Sequence, residues 1–113
     1  MLVSFVVPAY NEEALIGSCL AAITAEISRT GCQAEIIVVD NGSSDSTRQI
    51  ALAIAGAKVI DEPERGLVQA RRAGCLAAGG EYIANIDADT VLAEGWLQTA
   101  LAAFAHSPDL VAL

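Results

Sequence analysis

Three apolar runs in this chain each break off into a cluster of polar side chains, and each break leads on toward a helical pattern. Leu2-Val3-Ser4-Phe5-Val6-Val7 gives way to Pro8-Ala9-Tyr10-Asn11-Glu12-Glu13, Ala34-Glu35-Ile36-Ile37-Val38-Val39 to Asp40-Asn41-Gly42-Ser43-Ser44-Asp45, and Tyr82-Ile83-Ala84-Asn85-Ile86 to Asp87-Ala88-Asp89-Thr90. Short runs with so little polar alternation are strands covered on both faces, the pattern of a parallel sheet held between helices. Lys58 to Asp61 adds a shorter third strand, which makes the Tyr82 run the fourth.

Between the strands, apolar residues return at helical spacing. Leu15, Ile16, Cys19, Leu20, Ile23 and Ile27 form one stripe that ends at Thr30-Gly31, with Asn11 the expected N-cap and Glu12 and Glu13 in the first turn. A second helix is expected to open at Ser44 or Asp45 and to carry Ile50, Leu52 and Ile54 as far as Gly56. A third spans Leu67 to Ala78 before Gly79-Gly80, and its internal Gly74 implies close approach of its backbone to a neighbour, because glycine there costs a helix about 1 kcal/mol. A fourth covers roughly Glu94 to Ala105, with Trp96, Leu97, Leu101 and Phe104 on its apolar side, and Leu110-Val111-Ala112-Leu113 resembles the start of another strand.

Strands alternating with helices predict an α/β fold of three layers, with a doubly wound, mostly parallel sheet in the order third, second, first, fourth. Ligands bind such sheets outside the carboxyl ends of the strands, near the point where the strand order reverses. All three polar clusters follow strand ends, so they gather on one rim. That convergence is the main functional signal in the sequence.

The cluster after the fourth strand carries distinctive chemistry. Residues two apart along an extended segment point to one side, so Asp87 and Asp89 can approach a single cation. Their mutual repulsion is relieved by a shared proton, a basic neighbour or a divalent metal, and hard oxygen ligands favour Mg2+ or Mn2+. An isolated Asp-x-Asp is equally the composition of a polar loop or a cap. No Gly-x-Gly-x-x-Gly follows the first strand, and no Gly-x-x-x-x-Gly-Lys follows any strand, so the usual phosphate cradles are missing and a metal is the remaining way to hold a pyrophosphate.

Composition narrows the partners. The 113 residues suffice for one small domain, residues 1–113, and 54% of them are hydrophobic. A mean hydropathy of +0.49 is high for a globular chain, yet no apolar run approaches the roughly 20 residues of a membrane span. The amino terminus lacks a signal-peptide pattern, so the chain is expected to be cytoplasmic, with membrane association open for a longer parent. The net charge of −8 argues against nucleic acid and anionic lipid surfaces, and an anionic ligand would need a local cation. Cys19, Cys32 and Cys75 are odd in number and lack metal-ligand spacing, so reduced thiols are expected.

The same segments carry a family resemblance. Val6-Val7-Pro8-Ala9-Tyr10-Asn11-Glu12-Glu13, Val38 through Asp40-Asn41-Gly42-Ser43 to Thr47, Gly66-Leu67 through Ala70-Arg71 to Gly74, and Gly80 through Tyr82-Ile83 to Asp87-Ala88-Asp89-Thr90 resemble the successive motifs of family 2 glycosyltransferases with the GT-A fold. The resemblance implies inverting transfer of a sugar from a nucleoside diphosphate donor, most often a UDP-sugar, to a hydroxyl or phosphate acceptor. It implies that Pro8, Ala9, Tyr10 and Glu12 line a nucleoside pocket, that Asp40 faces the base in the loop containing Gly42, and that Arg71 lies near the nucleotide. Asp87 would address the ribose or the metal, and Asp89 would ligate the metal. Arg72 departs from the asparagine usual after that arginine.

Such enzymes continue into a half that binds the acceptor and supplies the carboxylate base, so this chain is expected to be the donor-binding half, truncated after the Asp-x-Asp region and inactive alone. No catalytic base is assigned. Apolar surface left uncovered in a half-domain would favour a dimer or larger assembly, with the unfinished strand near Leu110 to Leu113 a candidate for the pairing. Two alternatives stand beside this: a haloacid dehalogenase-like phosphatase, which shares an Asp-x-Asp-x-(Thr/Val) pattern, and a non-catalytic nucleotide-sugar-binding module.

Overall fold

A computed structural model describes residues 2–106. Its elements run β1 (Leu2–Ala9), α1 (Ile16–Thr30), β2 (Gln33–Asp40), α2 (Thr47–Leu52), β3 (Ala57–Asp61), α3 (Leu67–Ala77), β4 (Tyr82–Asn85) and α4 (Trp96–His106). The four strands form one sheet in the order β3-β2-β1-β4, and every neighbouring pair is parallel. This is the expected order. The strand anticipated at 110–113 lies outside the described residues.

The unbroken apolar character of β1 and β2 follows from burial on both faces. Val3, Phe5, Val7 and Ala9 of β1 join Ile36 and Val38 of β2 in a core closed by Ile16, Cys19, Leu20 and Ile23 of α1, Ala51 of α2 and Leu97 of α4. Val6, Ile37 and Val39, on the opposite face, pack on Ala70 of α3. The chain moves outward through α1 and α2 on one face, then returns across the sheet from β3 to β4. A right-handed crossover that reverses direction must pass over the other face, and α3 lies there.

Gly74 is where α3 meets the sheet. A Cβ at this position would fall 2.2 Å from Val6 Cγ1 and 3.1 Å from Val39 Cγ2, inside van der Waals contact, so the missing side chain sets the depth of the helix. β1 continues through Pro8 to Ala9, two residues past its expected end. The neighbours of Pro8 alternate in direction: Val6 O accepts from Ile86 N and Ala9 O from Asn41 N, so the amide Pro8 lacks would point toward β4, where pairing has stopped at Val6–Asn85.

Two buried polar groups bind distant segments together. Ser4, fully buried in β1, donates to Glu35 and accepts from the Gly80 amide at 2.9 Å, while the Gly79 amide donates to Glu35 at 2.6 Å. Glu26 of α1 is only 2% exposed. It accepts from the Leu97 and Gly95 amides at 2.9 and 3.3 Å and pairs with Arg29, so a carboxylate from one helix satisfies the open amides at the start of another. The Leu97 bond is the main reason its pKa lies below the ordinary value, with the Gly95 and Arg29 contacts adding to it against the effect of burial. Trp96 packs on Phe5 with ring centroids 6.3 Å apart, and Phe104 stacks on Tyr82 at 4.1 Å, so both aromatics of α4 serve the core.

Candidate functional site

The rim is built from loops that satisfy one another. Asn11 was expected to cap α1, but α1 starts at Ile16 with no acidic residue in its first turn, and Asn11 adopts φ 51° in a turn ahead of it. Its side chain accepts from the Ser44 amide at 2.8 Å, and its own amide donates to Ser43 Oγ at 2.9 Å. The Glu12 amide donates to Thr47 Oγ1 at 2.8 Å, the Glu13 amide to Asp45 at 3.3 Å, and the Ser46 amide to Glu13 at 3.0 Å. Polar groups that read locally as helix caps are spent on a loop more than 30 residues away. The start of α2 is corrected likewise: neither Ser44 nor Asp45 is its N-cap, because the helix begins at Thr47 after Ser46, and Asp45 accepts from the Thr47 amide at 2.9 Å in an Asx turn.

Above these loops lies a cavity of about 460 Å3, lined by Pro8, Ala9, Tyr10 and Glu12 after β1, by Asp87, Ala88 and Asp89 after β4, and by Asn41, Arg65, Gly66, Leu67 and Ala70. Six of the nine residues proposed from sequence as ligand contacts or metal ligands thus sit together here. Arg71, the next residue along α3 from Ala70, places Nη2 3.4 Å from Asp87 Oδ1. Asp40 and Gly42 are not among the lining residues. Asp40 is 6% exposed, accepts from the Ser43 amide at 3.0 Å and has Arg48 at 3.9 Å, so its carboxylate holds the turn beneath the cavity.

Asp87 and Asp89 are exposed while Ala88 between them is buried, but the segment is a turn closed by the Thr90 amide on the Asp87 carbonyl at 2.9 Å, since β4 ends at Asn85, so the turn and not the expected strand alternation turns both residues outward. Their charge is felt in the core. The Cys19 thiol is pushed up to about 11, first by burial and then by the fields of Asp89 and Asp87, and its Sγ lies 3.5 Å from the Asp87 carbonyl. Among the described residues no three His, Cys, Asp or Glu side chains gather as a metal cluster. Two exposed carboxylates fit a hard cation whose remaining ligands come from water and substrate phosphates, the habitual arrangement for Mg2+.

Sequence reasoning passed over the floor of the cavity. Asn41, 5% exposed, donates through Nδ2 to the carbonyls of Glu62 and Glu64 at 2.8 and 2.9 Å and accepts from the Gly66 amide at 3.0 Å. It thereby fixes the loop after β3, in which Gly66 has φ 137°, a conformation other residues rarely adopt. Arg65 in that loop lays its guanidinium over the Tyr10 ring, with Cζ 3.3 Å from the centroid. The one signal that pointed to Arg65 was the need of an acidic chain for a local cation near its rim.

An open parallel sheet with a ligand-sized cavity over its carboxyl rim, ending in two outward carboxylates, defines an α/β domain of the GT-A type. Residues 4–113 match the profile of Glycosyl transferase family 2, and the chain belongs to that family. It is 41% identical over 109 residues to the uncharacterized glycosyltransferase Rv0539 of Mycobacterium tuberculosis, covering 96% of this chain and 46% of that one. Staphylococcus aureus TarS 1-349 in complex with UDP superposes with a TM-score of 0.79 at 26% identity, over 94% of this chain and 32% of that one. Glucosyl-3-phosphoglycerate synthase of M. tuberculosis in complex with Mn2+, UDP and phosphoglyceric acid gives 0.77 at 29% identity, over 94% and 39%. The chain spans between a third and a half of the length of curated relatives such as these. Membership in this family sets aside the phosphatase alternative, whose acidic loop belongs after a first strand rather than after β4. Among the described residues no helix is long and apolar enough to cross a membrane.

Proposed function

We propose that this chain is the donor-binding portion of an inverting glycosyltransferase and takes a nucleoside diphosphate sugar, with a UDP-sugar the first candidate. One observation carries the reading: a single cavity is lined both by an aromatic ring with the Pro8–Tyr10 segment and by the Asp87–Asp89 pair. A nucleoside diphosphate is a planar base joined to an anionic tail, and the ring and the carboxylate pair with its metal would offer a partner to each half. The complexes of similar proteins with UDP, and with UDP and Mn2+, support it.

In this reading Pro8, Ala9, Tyr10 and Glu12 receive the nucleoside. Asp40 and Gly42 form the turn that supports it, and Asp40 would meet a base through Oδ2, the oxygen now 3.9 Å from Arg48, once that loose pair gives way. Arg71 and Asp87 address the ribose and phosphate side. Asp87 and Asp89 would hold Mg2+ or Mn2+, which when bound offsets the charge of the departing diphosphate. The residues of this chain bind and orient the donor, and the acceptor and the base that activates it are assigned to the rest of a longer enzyme. We further propose a cytoplasmic location and self-association of the isolated chain.

The test is a titration of the chain with UDP, GDP, ADP and CDP, with and without Mn2+, followed by thermal shift. UDP with Mn2+ is expected to raise the melting temperature most, and Asp89→Asn to remove the metal-dependent part. Failure of every nucleoside diphosphate, with either metal, to move it would end the donor-site reading.

A further inference from the structure

The Arg65–Tyr10 stack stands in the way of the function just proposed. With Cζ 3.3 Å from the ring centroid, no planar base fits between guanidinium and ring, so this face of Tyr10 is filled by the chain itself. The stem of Arg65 crosses Gly42, whose absent Cβ would lie 3.9 Å from Arg65 Cδ, and the loop behind it is fixed through Asn41. The arginine therefore rests in a prepared position. Its charge, by contrast, is unanswered. Arg48 pairs with Asp61, Arg29 with Glu26 and Arg71 with Asp87, but among the described residues the Arg65 guanidinium has neither an ion pair nor a hydrogen bond. A planar cation with all its N–H donors free, at the edge of a cavity with room for a diphosphate, is poised to change partners.

We propose that Arg65 is an internal ligand of the donor site: it covers the Tyr10 face while the site is empty, yields that face to the base when a nucleotide enters, and then pairs with the phosphates. The inference rests on the nucleoside diphosphate reading above and adds to it a specificity residue. One side chain opposes the nucleoside half of the ligand and favours the anionic half. The site thereby discriminates against uncharged nucleosides, which must displace Arg65 without offering it a new partner.

The two effects have opposite signs and can be separated with uridine and UDP as probes. Affinities are measured by NMR titration of the full chain, with and without Mn2+, for the wild type, Arg65→Ala, Arg65→Lys and the control Arg72→Ala. Arg65→Ala should bind uridine about 2- to 5-fold more tightly, the release of an exposed cation–π contact. It should also lower the preference for UDP over uridine by about 5- to 10-fold, as loss of one charge-assisted contact implies. Arg65→Lys keeps the charge and should retain most of the preference, and Arg72→Ala should change neither value. Weaker uridine binding by Arg65→Ala would overturn the proposal, since the arginine would then clamp the base rather than exclude it. An unchanged UDP preference would overturn it equally. A wild type that binds UDP while the Arg65 variants behave as wild type refutes this inference alone, whereas a wild type that binds neither probe refutes the donor site itself and this inference with it.

Discussion

Gly74→Ala tests how closely α3 lies on the sheet, because two physical effects predict opposite signs. Helix propensity alone favours alanine by about 1 kcal/mol, so on an exposed face the change would stabilise. Here the new methyl would lie 2.2 Å from Val6 Cγ1, 3.1 Å from Val39 Cγ2 and 3.3 Å from Val6 Cβ. Carbon atoms rest at roughly 3.5–4.0 Å, so the closest contact is short by more than an ångström and one side must move. Val6 and Val39 are fully buried, so neither can relieve the clash by turning out into solvent. Overpacking costs about 1–3 kcal/mol, and the upper part of that range applies to a clash with a β-branched side chain in a strand. After the propensity gain, a net loss of about 1–2 kcal/mol is expected, which lowers the melting temperature by roughly 5–10 °C in a chain of this size. Urea unfolding followed by circular dichroism measures it. Adding Val6→Ala removes the atom in conflict, so the double variant should lose less than the sum of the two single changes by about 1 kcal/mol or more. A Gly74→Ala protein as stable as the wild type, or more so, would refute the close approach and the depth of α3 inferred from it.

Glu26 should make the fold sensitive to acid. Its folded-state pKa is depressed, so its stabilising effect is complete above the ordinary glutamate value and disappears as pH falls through the depressed one. Glu26→Gln is therefore expected to lower stability at neutral pH and to flatten the loss between neutral and acidic pH, read as the urea midpoint against pH, and an unchanged slope would dismiss Glu26 as the source. Self-association of the isolated chain is expected because Val68 and Leu76, two turns apart on α3, are 74% and 78% exposed. Light scattering that finds a monomer across a hundredfold range of concentration would remove that expectation.

Much of the architecture was legible because it rests on local periodicity. The doubly buried strands, the stripe of α1 and the glycine at position 74 each show in a window of 13 residues or fewer, and the strand order follows from the alternation of such windows along the chain. The rim was legible in outline, since polar clusters after parallel strands must share an edge. What escaped depends on partners far along the chain. Asn11 has the composition of a cap, but its side chain serves Ser44, and Glu26 occupies an interior helical position while answering amides some 70 residues later. Asn41 looked like one more turn former, although its amide group is the strut of the loop that carries Arg65. The local sequence also did not show that Asp40, expected to face a ligand, closes the turn beneath the cavity by accepting from the Ser43 amide. A side chain's local preference limits what it can bond, while the fold decides which of those bonds is made.

The mutual hydrogen bonding of the loops around Asn11 and Ser44 bears on how a ligand would be gripped. Ordering a loop residue costs about 1–2 kcal/mol of backbone entropy, and a site assembled only on contact must recover that from its ligand. Here residues 11–13 and 43–47 are already held by one another's side chains before any ligand arrives. The ordering is completed during folding, so differences in affinity among ligands at this rim reside in the contacts each one makes.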